Sequence, residues 1–232
     1  MKESLVALLT LVSLLMAGCD DQTTDSQAQN NTTAKSQNQT KKEIIDEINA
    51  TGSITDAQAE SLSKASDLDL KGLTSITDAQ AEILSNVDLL WLNGLTSISN
   101  EQAESLSKAD YLGLNGLASI TDAQAEILGK VEALSLDGVT SITDAQAKSL
   151  SNVTNLYLNG LTSINDSQAE TLSQIDELGL KGLESITDTQ AESLSKVEYL
   201  IVSESIQPQI NKFRGDIGEA DLLPQTQRLA WP

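Results

Sequence analysis

Ile54, Ile76, Ile98, Ile120, Ile142, Ile164 and Ile186 recur at an unbroken interval of 22 residues, with no insertion or deletion between them. A chain with that regularity is expected to give every unit the same path and to stack the units, each burying the apolar side of its neighbour. Aromatic residues make up only 3% of the chain. That is too few for an ordinary globular core, whereas Leu, Ile and Ala at fixed repeat positions suit a stacked solenoid. The net charge of −20 and pI near 4.1 argue against a nucleic-acid backbone or an anionic membrane surface as the main partner, because both would repel the chain.

One unit, Leu84 to Ser105, shows how the repeat reads physically. Leu90 and Leu92 alternate with Leu89, Trp91 and Asn93, the period of a short strand with one buried face. The same pair returns as Leu68/Leu70, Leu112/Leu114, Leu134/Leu136, Leu156/Leu158 and Leu178/Leu180, and ends as Leu200/Val202. Equivalent strands in successive units predict one parallel sheet. Two residues after each pair stands a glycine (Gly72, Gly94, Gly116, Gly138, Gly160, Gly182), expected to serve a turn through a positive φ. A capping box follows. Thr77 can accept the backbone N–H three residues on while Gln80 reaches back to its own N–H, and the pattern recurs in every unit as far as Thr187/Gln190, with Asn165 the one change of residue class at the cap. The predicted helix of about two turns is too short to persist without neighbours.

Strand, turn and short helix in 22 residues, carrying L-x-x-V-x-x-L-x-L, resembles the leucine-rich repeat from Ile54 to Val202, nearly two-thirds of the chain. The resemblance implies an α/β solenoid, with a parallel sheet on one face and short helices on the other. Where that family places an asparagine that ladders along the turn, this chain has Leu73, Leu95, Leu117, Val139, Leu161 and Leu183. The unvarying serine column Ser53, Ser75, Ser97, Ser119, Ser141, Ser163 and Ser185 is therefore expected to satisfy turn backbone groups instead.

The amino terminus reads differently. Lys2 precedes an apolar run from Leu5 to Ala17 that is too short to cross a hydrocarbon layer of about 30 Å, so residues 1–18 read as a signal peptide. Met16-Ala17-Gly18-Cys19 resembles the lipobox of bacterial lipoproteins, which implies a diacylglycerol on the Cys19 thiol and a membrane held through that lipid anchor. Asp20 resembles the signal for retention on the periplasmic side of the inner membrane, with the outer membrane as the alternative. Residues 19–42 are polar and suit a disordered tether. Residues 43–53 supply Ile44, Ile45 and Ile48 as an N-terminal cap, 54–206 form the seven repeats, and 207–232 form either a C-terminal cap or a partner-binding tail.

The chain contains no histidine, and its sole cysteine is the lipobox residue, so a His-based triad and a His or Cys zinc site have no residues to build them. Asp78/Glu82, Asp122/Glu126 and their equivalents put two carboxylates one helical turn apart. They recur too regularly to mark one active site, which needs a special environment that separates two pKa values. No catalytic residue, metal or cofactor is expected.

Function should appear where the repeats differ. Three columns on the outward strand face vary, beginning at Asp67, Asp69 and Lys71, and they hold Trp91, Tyr111, Tyr157 and Tyr199, four of the six aromatics. Gly113 and Gly179 leave space beside Trp91 and Tyr157. These aromatics, with Asp69, Asn93, Asn115 and Asn159, form the candidate ligand-binding surface, suited to another protein or to an envelope glycan. The expected function is protein binding by a lipid-anchored cell-envelope protein; a glycan or cell-wall module and a passive spacer are the alternatives.

Overall fold

The computed structural model describes residues 40–214. The expected signal peptide, Cys19, the part of the expected tether before Thr40, and residues 215–232 lie outside the described residues. Helix α1 (Lys41–Thr51) opens the described chain. Seven units of short helix and strand follow: α2 (Asp56–Leu62), β1 (Asp67–Asp69), α3 (Asp78–Leu84), β2 (Leu89–Trp91), α4 (Asn100–Leu106), β3 (Tyr111–Gly113), α5 (Asp122–Leu128) and β4 (Ala133–Ser135) form the first half. Then come α6 (Asp144–Leu150), β5 (Asn155–Tyr157), α7 (Asp166–Leu172), β6 (Glu177–Leu180), α8 (Asp188–Leu194), β7 (Tyr199–Val202) and α9 (Gln207–Arg214). The strands make one parallel sheet in sequence order, and its register advances by one repeat at each step: Leu68 opposite Leu90, Leu90 opposite Leu112, and so on to Leu200. The architecture is a leucine-rich-repeat-like solenoid, with the sheet on one face and the helices on the other.

The alternation within each strand is the reason. Leu90 and Leu92 are fully buried while Leu89 and Trp91 are half-exposed, and each helix turns one alanine and one leucine inward, as Ala81 and Leu84 do. These side chains join into one core running from Ile44 to Ile210. Each fully buried leucine contributes roughly 1.5–3 kcal/mol. Because much of that burial is against the adjacent units, no repeat holds its conformation by itself.

All seven capping boxes form, and α1 adds another from Thr40 and Glu43. The glutamine does more than cap. Gln80 Nε2 donates to the Ile54 carbonyl at 3.0 Å, Gln102 to Ile76 at 2.9 Å, Gln124 to Ile98 at 2.8 Å, Gln146 to Ile120 at 2.9 Å, Gln168 to Ile142 at 2.9 Å and Gln190 to Ile164 at 3.0 Å. Thus Oε1 closes the helix of its own unit while Nε2 holds the unit before. A glutamate could do only the first, and Glu43 occupies this position in α1, ahead of the first repeat. Gln209 of α9 extends the series to the Ile186 carbonyl at 3.4 Å. The aspartate that starts six of the seven repeat helices, α4 opening on Asn100 instead, adds a further link in places: Ser99, Thr143 and Thr187 donate their hydroxyls to Asp78, Asp122 and Asp166, each at 3.2 Å.

Two expectations about the turn are corrected. The serine column is exposed, and its hydroxyls make no bond to turn backbone. An asparagine ladder is present instead, in a different column: Asn93 Oδ1 accepts from Asn115 N at 3.1 Å, Asn115 from Asp137 at 2.9 Å, Asp137 from Asn159 at 3.0 Å and Asn159 from Lys181 at 3.0 Å. Asn49 of α1 does the same for Gly72 N at 2.8 Å. The turn glycines do not adopt a positive φ either; among the described glycines only Gly52, which ends α1 at φ 73°, does so. They are required by close approach. A Cβ on Gly138 would lie 2.2 Å from the Asn115 carbonyl oxygen, and one on Gly160 2.2 Å from that of Asp137, so stacked turns leave no room for a side chain.

The ends of the stack are built from the same parts. Helix α1 begins at Lys41, two residues earlier than the sequence suggested, because the Thr40/Glu43 box fixes its start. It buries Ile44 and Ile48, and its Lys41 Nζ and Asn49 Nδ2 donate to the β1 carbonyls of Asp67 and Asp69. At the other end, α9 buries Ile210, and Arg214 donates to the carbonyls of Ser195 and Val197. Leu200 and Val202 of β7 nevertheless stay partly exposed, unlike their counterparts in the preceding strands.

The double duty of the glutamine is testable. Gln146→Glu keeps the capping acceptor but sets a carboxylate against the buried Ile120 carbonyl, and should lower stability by about 2 kcal/mol in urea unfolding. Gln58→Glu, at an exposed first unit whose Nε2 meets Glu47, should change it by about 0.5 kcal/mol or less.

Candidate functional site

The outward sheet face carries the candidate site. Trp91 of β2 leans toward β3 and packs against Tyr111, ring centroids 5.2 Å apart and planes tilted by 42°, a favourable aromatic geometry. Gly113, opposite Trp91 in the register, makes this possible: a Cβ there would stand 3.0 Å from Trp91 Cδ1. Tyr157 of β5 repeats the device over Gly179, where a Cβ would stand 2.9 Å from its Cδ1. Its hydroxyl donates to Glu177 Oε1 at 2.7 Å. In both places a large ring lies across the glycine of the next strand and meets the residue two positions before that glycine.

Tyr111 and Tyr157, with Leu89, Ala133 and Asn155, line a shallow depression of about 320 Å³ across β2 to β5. Asp110 and Glu132 close one side of it. Neither acid belongs to the three columns read from the sequence, because each precedes its strand. The signal was present nonetheless: Asp88, Asp110, Glu132, Asp176 and Glu198 all occupy that one repeat position, and all are exposed.

The other candidate residues are placed elsewhere or already engaged. Asn93, Asn115 and Asn159 commit their Oδ1 atoms to the backbone ladder, and Asn115 Oδ1 also accepts from Ser135 at 2.6 Å, so their role is to hold the turns together. Asp69 lies on β1, where it accepts from Lys71 N at 3.1 Å and pairs with Lys71 Nζ at 3.4 Å. Tyr199 lies on β7, 39% exposed, opposite Glu177 in the register and outside the depression. Cys19 is outside the described residues. Five expected residues thus do not join the central site, since alternation shows which way a side chain faces but not what it meets.

Burial raises the ionisation point of the Tyr111 phenol above its ordinary value; hydrogen bonding with Trp91 and Ser135 works against the rise and the Asp137 charge adds to it. Tyr157 is raised much further, first by burial and then by its bond to the Glu177 carboxylate and that group's charge, both of which disfavour a phenolate. On the helical face, the aspartates of the regular carboxylate pairs receive neighbouring caps, as Asp122 does from Thr143. Among the described residues no three His, Cys, Asp or Glu side chains stand close enough to hold a metal ion, and no helix is long and apolar enough to cross a membrane.

No protein-family model matches the chain. No curated protein sequence matches it either. Among solved structures, an internalin from Listeria monocytogenes is similar at 16% identity and a TM-score of 0.30, over 69% of this chain and 74% of that one. The architecture described above rests on the strands and their register, independently of that likeness.

The Tyr157–Glu177 bond predicts a pH dependence. In spectrophotometric titration, Glu177→Gln should move the Tyr157 midpoint down toward the ordinary tyrosine range, and Tyr157→Phe should delete the latest step. A phenol raised in the folded state keeps its proton where the unfolded chain has lost it, so stability from this site should be complete below the reference pKa of 10.0 and decline as pH rises above it. A Glu177→Gln titration that overlays the wild type would remove the assigned contact.

Proposed function

We propose that this chain is a lipid-anchored protein of the bacterial envelope that binds another protein through the outward face of its sheet. The observation that carries the binding reading is the contrast between the two faces. On the helical side nearly every position repeats from unit to unit, and the side chains serve caps and inter-repeat bonds. On the sheet side the repeat gives way to Trp91, Tyr111 and Tyr157, half-exposed and already ordered by ring packing and by the bond to Glu177. Rigid aromatics presented at low conformational cost are the residues from which protein-binding hot spots are built. The depression they line is shallow and open, which fits a protein surface better than an enclosed small molecule.

The anchoring part of the reading rests on the sequence Met16-Ala17-Gly18-Cys19 and the apolar run before it. A polar stretch from Asp20 to Gln39 then separates the lipid from the repeats. As a flexible coil it would span roughly 25 Å, enough to hold the sheet face clear of a bilayer. Asp20 favours the periplasmic side of the inner membrane.

Two experiments test these parts separately. The full tagged chain, crosslinked in envelope preparations, should retain a defined protein set that Trp91→Ala with Tyr157→Ala abolishes while far-UV circular dichroism stays unchanged. An unaltered set would remove the sheet face as the binding surface, and a fluorescence response to purified envelope polysaccharide in place of protein capture would favour a glycan. For the anchor, Cys19→Ala should move the chain from the membrane pellet to the soluble fraction; continued sedimentation with membranes would overturn acylation at that residue.

A further inference from the structure

We infer that the depression across β2 to β5 seats the guanidinium of an arginine carried by a basic segment of the protein partner, an inference that rests on the sheet-face reading above. Three features point to this occupant. The floor is aromatic and apolar, with Tyr111, Tyr157, Leu89 and Ala133, while one wall is the carboxylate pair Asp110 and Glu132. A planar cation can lie on the rings and direct charged N–H donors to the acids at the same time; a neutral sugar can stack and donate but brings no charge to balance the two carboxylates, and an apolar side chain has no donor. Among the described residues no three potential ligands cluster for a metal ion, so the wall is not arranged as an inorganic cation site.

Charge is the second feature. Asp110 and Glu132 belong to an exposed acidic row that begins at Asp88 and, after Thr154 interrupts it ahead of β5, resumes at Asp176 and Glu198. Lys41–Asp67, Lys42–Asp46, Lys71–Asp69 and Lys212–Asp188 are ion pairs among the described residues, and none of them reaches that row. Lys71 and Lys181, the lysines of the outward columns, follow their strands rather than precede them. Lys108, Lys130 and Lys196 stand two residues before Asp110, Glu132 and Glu198 without pairing to them, so the edge keeps five carboxylates against three lysines and is complementary to a basic partner, whose approach it would accelerate.

Dimensions supply the third. Neighbouring strands are about 4.8 Å apart, so Asp88 to Glu132 spans roughly 10 Å and the row to Glu198 roughly 24 Å. An extended segment crossing the strands presents alternate side chains to the sheet about every 6.6 Å, which lets one arginine enter the depression while flanking basic residues meet the rest of the row.

The probe is a capped peptide alternating arginine and serine, titrated into the full chain carrying Trp231→Phe, so that Trp91, stacked on Tyr111, is the sole indole. A saturable change in Trp91 emission is expected, and Asp110→Asn with Glu132→Gln should weaken binding about tenfold, the scale of losing charge-assisted bonds to one cation. Glu82→Gln with Glu126→Gln, an equal charge change on exposed helical residues, should weaken it less than about twofold. Equal weakening by the two pairs, no weakening by the first, no saturable response, or equally tight binding of the lysine analogue would each overturn the assignment. The two readings fail differently. If Trp91→Ala with Tyr157→Ala abolishes protein capture while Asp110→Asn with Glu132→Gln leaves it intact, the sheet face stands and the arginine seat falls. If the aromatic pair leaves capture intact, the sheet-face reading falls, and this assignment falls with it.

Discussion

The amide of one glutamine per repeat, bonded to the isoleucine carbonyl of the repeat before, couples the two levels on which this fold depends. Through Oε1 it stabilises a helix of seven residues that could not persist in water; through Nε2 it fixes the distance between that helix and the preceding one. The parallel strand ladder fixes the same distance on the opposite face, and the asparagine ladder fixes it at the turn between them. Three independent rails thus impose one spacing. An inserted residue anywhere between strand and helix would displace at least one rail relative to the others, which gives a physical reason for seven units of identical length.

The parts of the fold with local causes were legible in the sequence. Alternating leucines gave the strands and their parallel order, and the Thr-x-x-Gln spacing gave the helix starts, because both depend on residues a few positions apart. What could not be read depends on contacts between units. The invariance of the serine column suggests a structural role, yet it faces water; the outward strand positions of Asn93, Asn115 and Asn159 suggest availability, yet the next turn uses them. A positive φ is the common local reason for glycine after a strand, whereas the real reason here is a carbonyl of the preceding repeat, 21 or 23 residues earlier. Asp110 and Glu132 were missed since they lie one position outside the strand columns.

The two side-chain ladders differ in what they demand, and that difference shapes the surface. The turn ladder asks only for an acceptor, so Asp137 replaces asparagine within it at no loss of the bond to Asn159 N. The glutamine series asks for an acceptor and a donor on one side chain, and no glutamate replaces glutamine in any of the seven units. Lysine, which can accept nothing, stands at Lys71 and Lys181. Lys71 takes its backbone bond from its own Asp69, and Lys181 is where the ladder ends.

Because structural demands fall on the inward leucines, the capping boxes and the turn column, the residues left to vary are those at the start of each strand and on its first two outward positions. There, small residues are as informative as large ones. Gly113 and Gly179 are buried beneath Trp91 and Tyr157, and Ser135 lies buried between those two places. Any side chain larger than hydrogen at the two glycines would lift the ring that crosses it and open the packing that orders the depression. The proposed recognition surface is thus specified by pairs, an aromatic in one repeat and a glycine in the next, and a change confined to either member should alter its shape while leaving the stack intact.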